Sequence, residues 1–327
     1  MFINKSTQKV KYPPSDHLVA PLNLGFRRKD FDVSDTVNVT NVDSVNAAVR
    51  AIFESCYPSE AYKNVSVAFN DFSMIYAGNH PDYHGCDTPY HDIQHVLDVT
   101  LAVMRLIDGY EKSHNDEDQF GAELAVIAII SALFHDVGYI RRKTDDSHTD
   151  GAEFTQIHVT RSGKFLTEYF IRLGMNREAK LAPKLVQFTG YERPVESLLF
   201  SDKKLQELGY ILGTGDVIAQ MADRMYLEKC RDCLYPEFVR AGLAKNRQEE
   251  LKKGALYKSP EDLLAKTPQF IRSTIKQRLN KTFNSVYKYA ETHFGGPNLY
   301  LIAVTKNLEY IETQLNNSHS TFLRRQK

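Results

Sequence analysis

The most restrictive feature of the chain is an apolar run that ends in two ionisable residues. Residues 124–134 are apolar except for Ser131, and His135 and Asp136 follow directly. An eleven-residue run is well short of the ~20 residues that span a bilayer, so it predicts a helix buried on all sides. Burying an imidazole and a carboxylate at its end is costly unless a metal ion or partner groups satisfy them. The alternative is a helix that ends at the surface, where both groups are solvated.

The remaining sequence also favours helices. From Tyr90 to about Gly109 the apolar residues recur at helical spacing. Alternating polar and apolar residues occur only in a weak patch near 36–40. The sequence therefore predicts an all-α helical bundle. Further helices are expected at 43–56, 60–76, 121–136, 151–173, 177–188, 195–208, 211–230, 235–241, 268–294 and 298–316.

These patterns also divide the chain. Residues 1–42 are expected to form an irregular N-terminal arm, residues 43–316 a single helical domain, and residues 317–327 a polar tail. Of the 327 residues, 42% are hydrophobic, which is ample for a sizeable core.

Charge and cysteine content narrow the function classes. The chain has 41 Lys plus Arg and 41 Asp plus Glu, so it has no general attraction to nucleic acid or an anionic membrane. No secretory signal is visible, and four cysteines are too few for a disulfide scaffold. Cys230 and Cys233 form a single C-x-x-C, best interpreted as thiols on a helix. We therefore expect a cytoplasmic protein that is not bound to a membrane.

Two further segments carry candidate chemistry. In the first, His91 and His95 are expected to share a helix face, with Asp98 on the same stripe, where it can orient a ring nitrogen. In the second, Asp216 is followed at helical spacing by Gln220 and Asp223. The small residues before Asp216 permit a close backbone approach, although a solvated polar face is the plain alternative. Imidazole and carboxylate groups from three helices suit a Zn, Mn, Fe or Mg site.

The order of these motifs resembles a known superfamily. An H-x-x-x-H, then a His-Asp pair, then a later Asp in an all-α chain is similar to the HD-domain metal-dependent phosphohydrolases. The first segment also resembles the class I cyclic nucleotide phosphodiesterases, whose motif Y-H-N-x-x-H-A-x-D-V is matched by Tyr90, His91, His95, Asp98 and Val99. The resemblance covers roughly residues 88–240, the expected metal-site core.

The resemblance implies specific roles. His95, His135, Asp136 and Asp216 would hold the first of two divalent metal ions, and Asp136 would bridge to the second. Metal-bound hydroxide would attack phosphorus, with His91 as the general acid, so that His91, Asp136 and Asp216 are the expected catalytic residues. The substrate would be a small-molecule phosphate ester, foremost a cyclic or other nucleotide.

The chain departs from this pattern around the second metal. His158 follows Asp136 at a distance at which other HD-domain branches place a second-metal His, and Glu153 is a further candidate for lining the site, as are Asp98, Gln220 and Asp223. The next expected His is absent from 182–190, where Gln187 and Thr189 stand instead. The second ion would then be mostly water-coordinated, which suits Mg or Mn.

Two groups of residues are candidates for substrate contacts. Gln269 and Gln277 are candidates for the glutamine with which the phosphodiesterases clamp a purine. Arg141, Arg142 and Lys143 follow the His-Asp pair and are candidates for contacts with phosphate oxygens. Basic residues in such a position more often belong to a solvated loop.

Two other functions remain open on the sequence. Some HD-domain proteins are di-iron oxygenases, which use additional His ligands and would consume oxygen. A non-catalytic HD module would bind a nucleotide tightly without turning it over.

Overall fold

The computed structural model describes residues 27–244 and 256–316. The predicted tail and the first 26 residues of the predicted arm lie outside this part of the chain. Within the described ranges the protein is all-α, as predicted, and forms no sheet; its extended pairings are single bridges such as that between Phe31 and Asn38.

The α-helices follow one another along the chain with short connections. They are α1 Val42–Cys56, α2 Lys63–Tyr76, α3 Ile93–Ser113, α4 Gly121–Leu133, α5 His158–Arg172, α6 Glu178–Leu185, α7 Lys203–Ala222, α8 Tyr226–Lys229, α9 Tyr235–Arg240, α10 Pro260–Ser273, α11 Tyr289–Phe294 and α12 Leu299–Asn316. Two π-helical segments, Cys230–Leu234 and Thr274–Thr282, join α8 to α9 and extend α10.

The core is built around α3, which packs against α1, α4, α7 and α11. The apolar run forms α4, buried from Ala125 to Leu133 as expected. By length and composition the window Gly121–Tyr139 would suffice to cross a membrane, but 78% of it is buried inside the protein. Core helices of globular proteins pass the same test, so this window carries no further conclusion.

Several predicted boundaries are wrong for local reasons. The helix predicted over 151–173 begins as a short 3₁₀ turn, Gly151–Phe154, and α5 starts only at His158. The helices predicted over 195–208 and 211–230 also differ: α7 runs without a break from Lys203 to Ala222, and the chain leaves helical geometry at Asp223, with φ −54° and ψ 131°.

The predicted helix 268–294 is also wrong. Helix α10 starts earlier, because the Ser259 side chain caps it and Pro260 occupies its first turn, while Pro268 is accommodated inside the helix. The helical path then breaks at Asn284 and Ser285, whose φ values of 50° and 59° are left-handed.

Candidate metal centre

The first element of the site is the start of α3. Asp92 caps this helix by accepting a hydrogen bond from the His95 backbone at 2.9 Å. His95 is buried and faces the interior. His91 precedes the helix, so the prediction that His91 and His95 share a helix face is wrong. Their rings nevertheless lie close, with centroids 5.8 Å apart.

The second element is the turn that ends α4. His135 and Asp136 are only 1% and 3% exposed, which excludes the alternative of a solvated helix end. The turn is held against α5 at Gly138, where a Cβ atom would lie 1.9 Å from the His158 carbonyl oxygen. Glycine at 138 therefore allows the His-Asp turn and the start of α5 to meet.

The third element is α7, which presents Asp216 to the same point. The prediction that a small residue before Asp216 permits close packing is confirmed, because an added Cβ at Gly215 would meet the Val103 side chain of α3 at 2.5 Å. Asp216 is itself buried, so it does not belong to a solvated face.

These three elements bring two imidazoles and two carboxylates together. The Nε2 atom of His95 lies 3.3 Å from Nε2 of His135 and 3.4 Å from Oδ1 of Asp216. Asp136 Oδ2 lies 3.3 Å from His95 Nε2 and 3.1 Å from His135 Nε2. His95, His135 and Asp216 form a buried group that could hold a metal ion.

The bonding inside the cluster fits a cation. His135 donates its Nδ1 proton to the Ala132 carbonyl at 2.7 Å, which leaves Nε2 as the ring atom directed at the site. Asp136 Oδ2 is buried and makes no hydrogen bond to any residue that the structure describes, although both Nε2 atoms are near it. Imidazole nitrogens and carboxylate oxygens that converge in this way suit Zn, Mn or Fe.

The pKa shifts of His95 and Asp136 also fit a cation site. Burial lowers the pKa of His95, but Asp136 and Asp216 outweigh it and raise this pKa to about 10. Burial raises the pKa of Asp136, but His135 and His95 hold it well below its usual value. A bound cation would take the place of the positive charge that these carboxylates favour on His95.

A residue that sequence reasoning missed fixes His91. Glu237, on α9, is fully buried and accepts a hydrogen bond from His91 Nδ1 at 2.6 Å and one from the Tyr90 backbone at 2.6 Å. Burial lowers the pKa of His91, but Glu237 outweighs it and raises this pKa above its ordinary value. Asp98 was expected to orient a ring nitrogen in this segment; in the structure a carboxylate from a distant helix does so for His91.

His91 is also the end of an aromatic stack. Its ring lies on Tyr139 with centroids 4.5 Å apart, and Tyr139 lies on His158 at 4.4 Å. His158 donates its Nδ1 proton to the Thr155 carbonyl, and its Nε2 atom lies 3.6 Å from Asp136 Oδ1. The structure therefore brings the predicted lining residue His158 to the cluster.

The other predicted lining residues divide into two groups. Gln220 accepts a hydrogen bond from the Tyr90 hydroxyl, and with Asp98 and Asp223 it borders a small polar recess beside His95. Asp223 pairs there with Lys229 at 2.6 Å. Glu153 is not in the site: it is exposed, and its carboxylate completes the N-terminal cap of the 3₁₀ turn at Asp150.

The predicted substrate contacts are not found at the cluster. Gln269 and Gln277 border a separate surface cavity near α12. Arg141 bonds Asp87 and the His148 carbonyl, Arg142 pairs with Glu168, and Lys143 bonds the His80 carbonyl. Both glutamine assignments are therefore wrong, and the basic residues form a loop of ordinary surface contacts.

The cluster lies at the bottom of a cavity of about 520 Å³. His91, His95, Asp136, His158 and Asp216 form one end of it. Thr189, from the stretch that lacks the expected second-metal His, also lines this cavity. A volume of this size is within the range of small-molecule sites, about 300–1,000 Å³.

Comparison with known proteins places the chain in a family without assigning a reaction. No curated protein matches the chain at a significant level. The model of the Npun_R2479-like family matches residues 42–301, which is most of the sequence and includes every element of the cluster. The chain belongs to the Npun_R2479-like family.

Proposed function

We propose that the protein is a metal-dependent phosphohydrolase of the HD-domain type that hydrolyses a phosphate ester, with cyclic nucleotides as the first substrates to test. The observation that supports this proposal most strongly is the convergence of His95, His135, Asp136 and Asp216 beside an imidazole that a buried carboxylate holds in place. The motif order in the sequence and the cavity above the cluster support it further.

The ligands of the cation follow from the geometry. His95, His135 and Asp216 would hold a divalent ion, and Asp136, whose Oδ2 lacks a hydrogen bond among the described residues, would be the fourth ligand. His158 Nε2, which lies 3.6 Å from Asp136 Oδ1, would be a ligand of a second ion. Bound divalent ions lower the pKa of water and stabilise charge on phosphoryl oxygens.

His91 has the properties of the acid in such a reaction. Because Nδ1 is bonded to Glu237, Nε2 is the ring atom available to the cavity. As a water oxygen bonds to phosphorus and the P–O bond to the leaving group breaks, the Nε2 proton passes to the leaving oxygen. The proton that the water loses enters solvent, and His91 regains one from there. Glu237 favours the protonated ring and holds its orientation, and the ring face is fixed by Tyr139.

The test is a product assay with defined metals. The purified protein is incubated with Mn²⁺, Mg²⁺, Zn²⁺ or Fe²⁺ and a panel of cyclic mononucleotides, cyclic and linear dinucleotides, and nucleoside mono- and triphosphates, and products are identified by mass spectrometry. We expect metal-dependent release of a phosphate ester product that is lost in Asp136→Asn. An unchanged rate in Asp136→Asn or in metal-free protein would contradict the proposal.

A variant of His91 distinguishes loss of the general acid from loss of the bound metal. His91→Gln is expected to retain the metal content of the unaltered protein and to hydrolyse its substrate about 10²–10⁴-fold more slowly, as removal of a general acid does. Equal turnover by His91→Gln would assign the proton to another group.

A further inference from the structure

We infer that the substrate is a phosphate ester with one anionic group and an uncharged, largely apolar body, which lies in the part of the cavity away from the metal cluster. This inference rests on the proposed function and adds the class of substrate to it. It follows from the chemistry of the cavity wall, from the exposed residues at its mouth and from its supply of charge.

The wall of the cavity has a polar part and an apolar part. Beyond the imidazoles and carboxylates it is formed mainly by aromatic and aliphatic side chains: Tyr226, Leu234, Phe238, Tyr257, Leu263 and Phe270. Phe238 and Tyr257 are stacked, with ring centroids 5.6 Å apart and planes within 2°. Such a surface favours ligand groups that lose little hydration when they are buried.

The mouth of the cavity is apolar as well. Tyr191, Leu256 and Phe270 line it and are 66%, 57% and 38% exposed. Nine large hydrophobic side chains are exposed in the described part of the chain, and these three meet at one opening. Exposed apolar residues are unremarkable singly, but a group around a cavity indicates a binding site.

The supply of positive charge limits the anionic groups that can bind. Among the described residues Lys266 is the only Lys or Arg that lines this cavity. Its ammonium already donates to Asp262 and to the Leu256 carbonyl, each at 2.9 Å. Glu192, also in the wall, accepts hydrogen bonds from the Val159 backbone and the Thr160 hydroxyl at the start of α5 and supplies no cation. A cation at the cluster can balance one phosphate, but the described residues that line the apolar part offer no further cation to a second phosphate or a carboxylate.

The test uses mixed phosphodiesters with a constant leaving group. The p-nitrophenyl esters of methyl, hexyl and 5-carboxypentyl phosphate share their reacting atoms and differ only in the body of the ester. In the Mn²⁺-loaded protein we expect kcat/KM to be at least tenfold higher for the hexyl ester than for the methyl ester, because each buried methylene favours binding. The carboxypentyl ester should lose this advantage. Equal rates for all three esters would overturn the inference while leaving the proposed hydrolysis intact.

A matched pair of surface variants locates the preference. Leu256→Ser alters the mouth, whereas Leu199→Ser alters a leucine of similar exposure, 62%, that does not line the cavity. Leu256→Ser should reduce the hexyl preference severalfold, and Leu199→Ser should leave it unchanged. The same loss in both variants, or in neither, would contradict the assigned position.

If no ester is hydrolysed, the binding of alkylphosphonates tests the inferred substrate class. Calorimetry with hexylphosphonate and methylphosphonate on the Mn²⁺-loaded protein should give at least tenfold tighter binding of the hexyl compound. That result without turnover of these esters would support the assigned ligand class, whereas the proposed hydrolysis is decided separately by the nucleotide assay. Equal affinities, or no binding of either compound, would overturn the inference.

Discussion

Helix α3 carries a histidine–carboxylate cluster near each end, and the two clusters differ in how their polar atoms are satisfied. Toward the C-terminal end, Asp108 accepts hydrogen bonds from His293 at 2.6 Å, Lys112 at 2.7 Å and Cys56 at 3.3 Å. At the N-terminal end, His95 meets His135, Asp136 and Asp216, and Asp136 Oδ2 has no hydrogen bond among the described residues.

The difference separates a structural network from a ligand site. Both carboxylates are buried, so in both places burial must be compensated. Asp108 obtains its compensation from donors of the protein itself, and the burial that would raise its pKa is outweighed by these donors, chiefly His293 and Lys112. The cluster at His95 directs several ligand atoms at one point, an arrangement that a divalent cation satisfies.

The largest expected effect comes from removing a histidine from each cluster in turn. His135→Ala should abolish metal binding and reduce phosphohydrolase activity by on the order of a thousandfold, because the cation supplies most of the charge stabilisation. His293→Ala should keep the metal and the activity but destabilise the fold by about 1–3 kcal/mol, since Asp108 loses a buried donor. Metal analysis, turnover and thermal unfolding of both variants test this contrast. Metal retention by His135→Ala would contradict the contrast between a metal site at His95 and a structural network at Asp108.

Chelation gives the next effect and acts on one cluster only. A cation at a free concentration about 100 times its Kd should stabilise the folded protein by about 2.7 kcal/mol. A chelator should therefore lower the Tm of the unaltered protein and of His293→Ala, and leave that of His135→Ala unchanged. The measurement is calorimetry with and without chelator, followed by metal addition. A Tm that does not respond to metal in the unaltered protein would contradict the assignment.

A variant of Glu237 tests whether His91, beside the cluster at His95, depends on a positioning residue. In Glu237→Gln the Tyr90 backbone keeps an acceptor, but His91 loses the anionic partner of Nδ1. We expect kcat to fall about 10–100-fold with unchanged metal content, and the limb of the pH profile that reports His91 to move to lower pH. A fall in kcat with an unmoved pH profile would indicate only a packing role.

The smallest expected effect is a pH-dependent change in stability at Asp98, beside the cluster at His95. Burial, with Asp223 and Asp32 nearby, raises the pKa of Asp98 to about 7. Because the folded state favours the protonated form, the contribution of Asp98 to stability is fully present below about pH 4 and is lost as the pH rises through about 7. Asp98→Asn should therefore stabilise the protein relative to the unaltered chain by about 1 kcal/mol at pH 8 and by less at pH 4. Urea unfolding at both pH values measures the difference, and an equal effect at both would contradict it.

The sequence was informative where one short segment carries its own chemistry. The apolar run predicted a buried helix, and the cost of burying His135 and Asp136 at its end predicted a site. Helix ends were harder to predict, because capping and packing decide them. Thr267-Pro268 resembles a helix start, but the capped Ser259-Pro260 eight residues earlier is the actual one.

Glu237 illustrates what one sequence cannot supply. It lies 146 positions from His91 and belongs to the six-residue helix α9. Nothing in its neighbourhood distinguishes it from a solvated glutamate, although Pro236 marks a helix start. Only the packing of α9 on the segment before α3 shows that its carboxylate is buried against an imidazole.

Locating the bound metal tests the proposed site at the N-terminal end of α3 most directly. Crystals grown with Mn²⁺ or Zn²⁺ and measured at the absorption edge of the metal would show anomalous density at each bound ion. We expect a peak within about 2.0–2.3 Å of His95 Nε2, His135 Nε2 and a carboxylate oxygen of Asp216. No peak at saturating metal, or a peak at Asp108 and His293 instead, would contradict it.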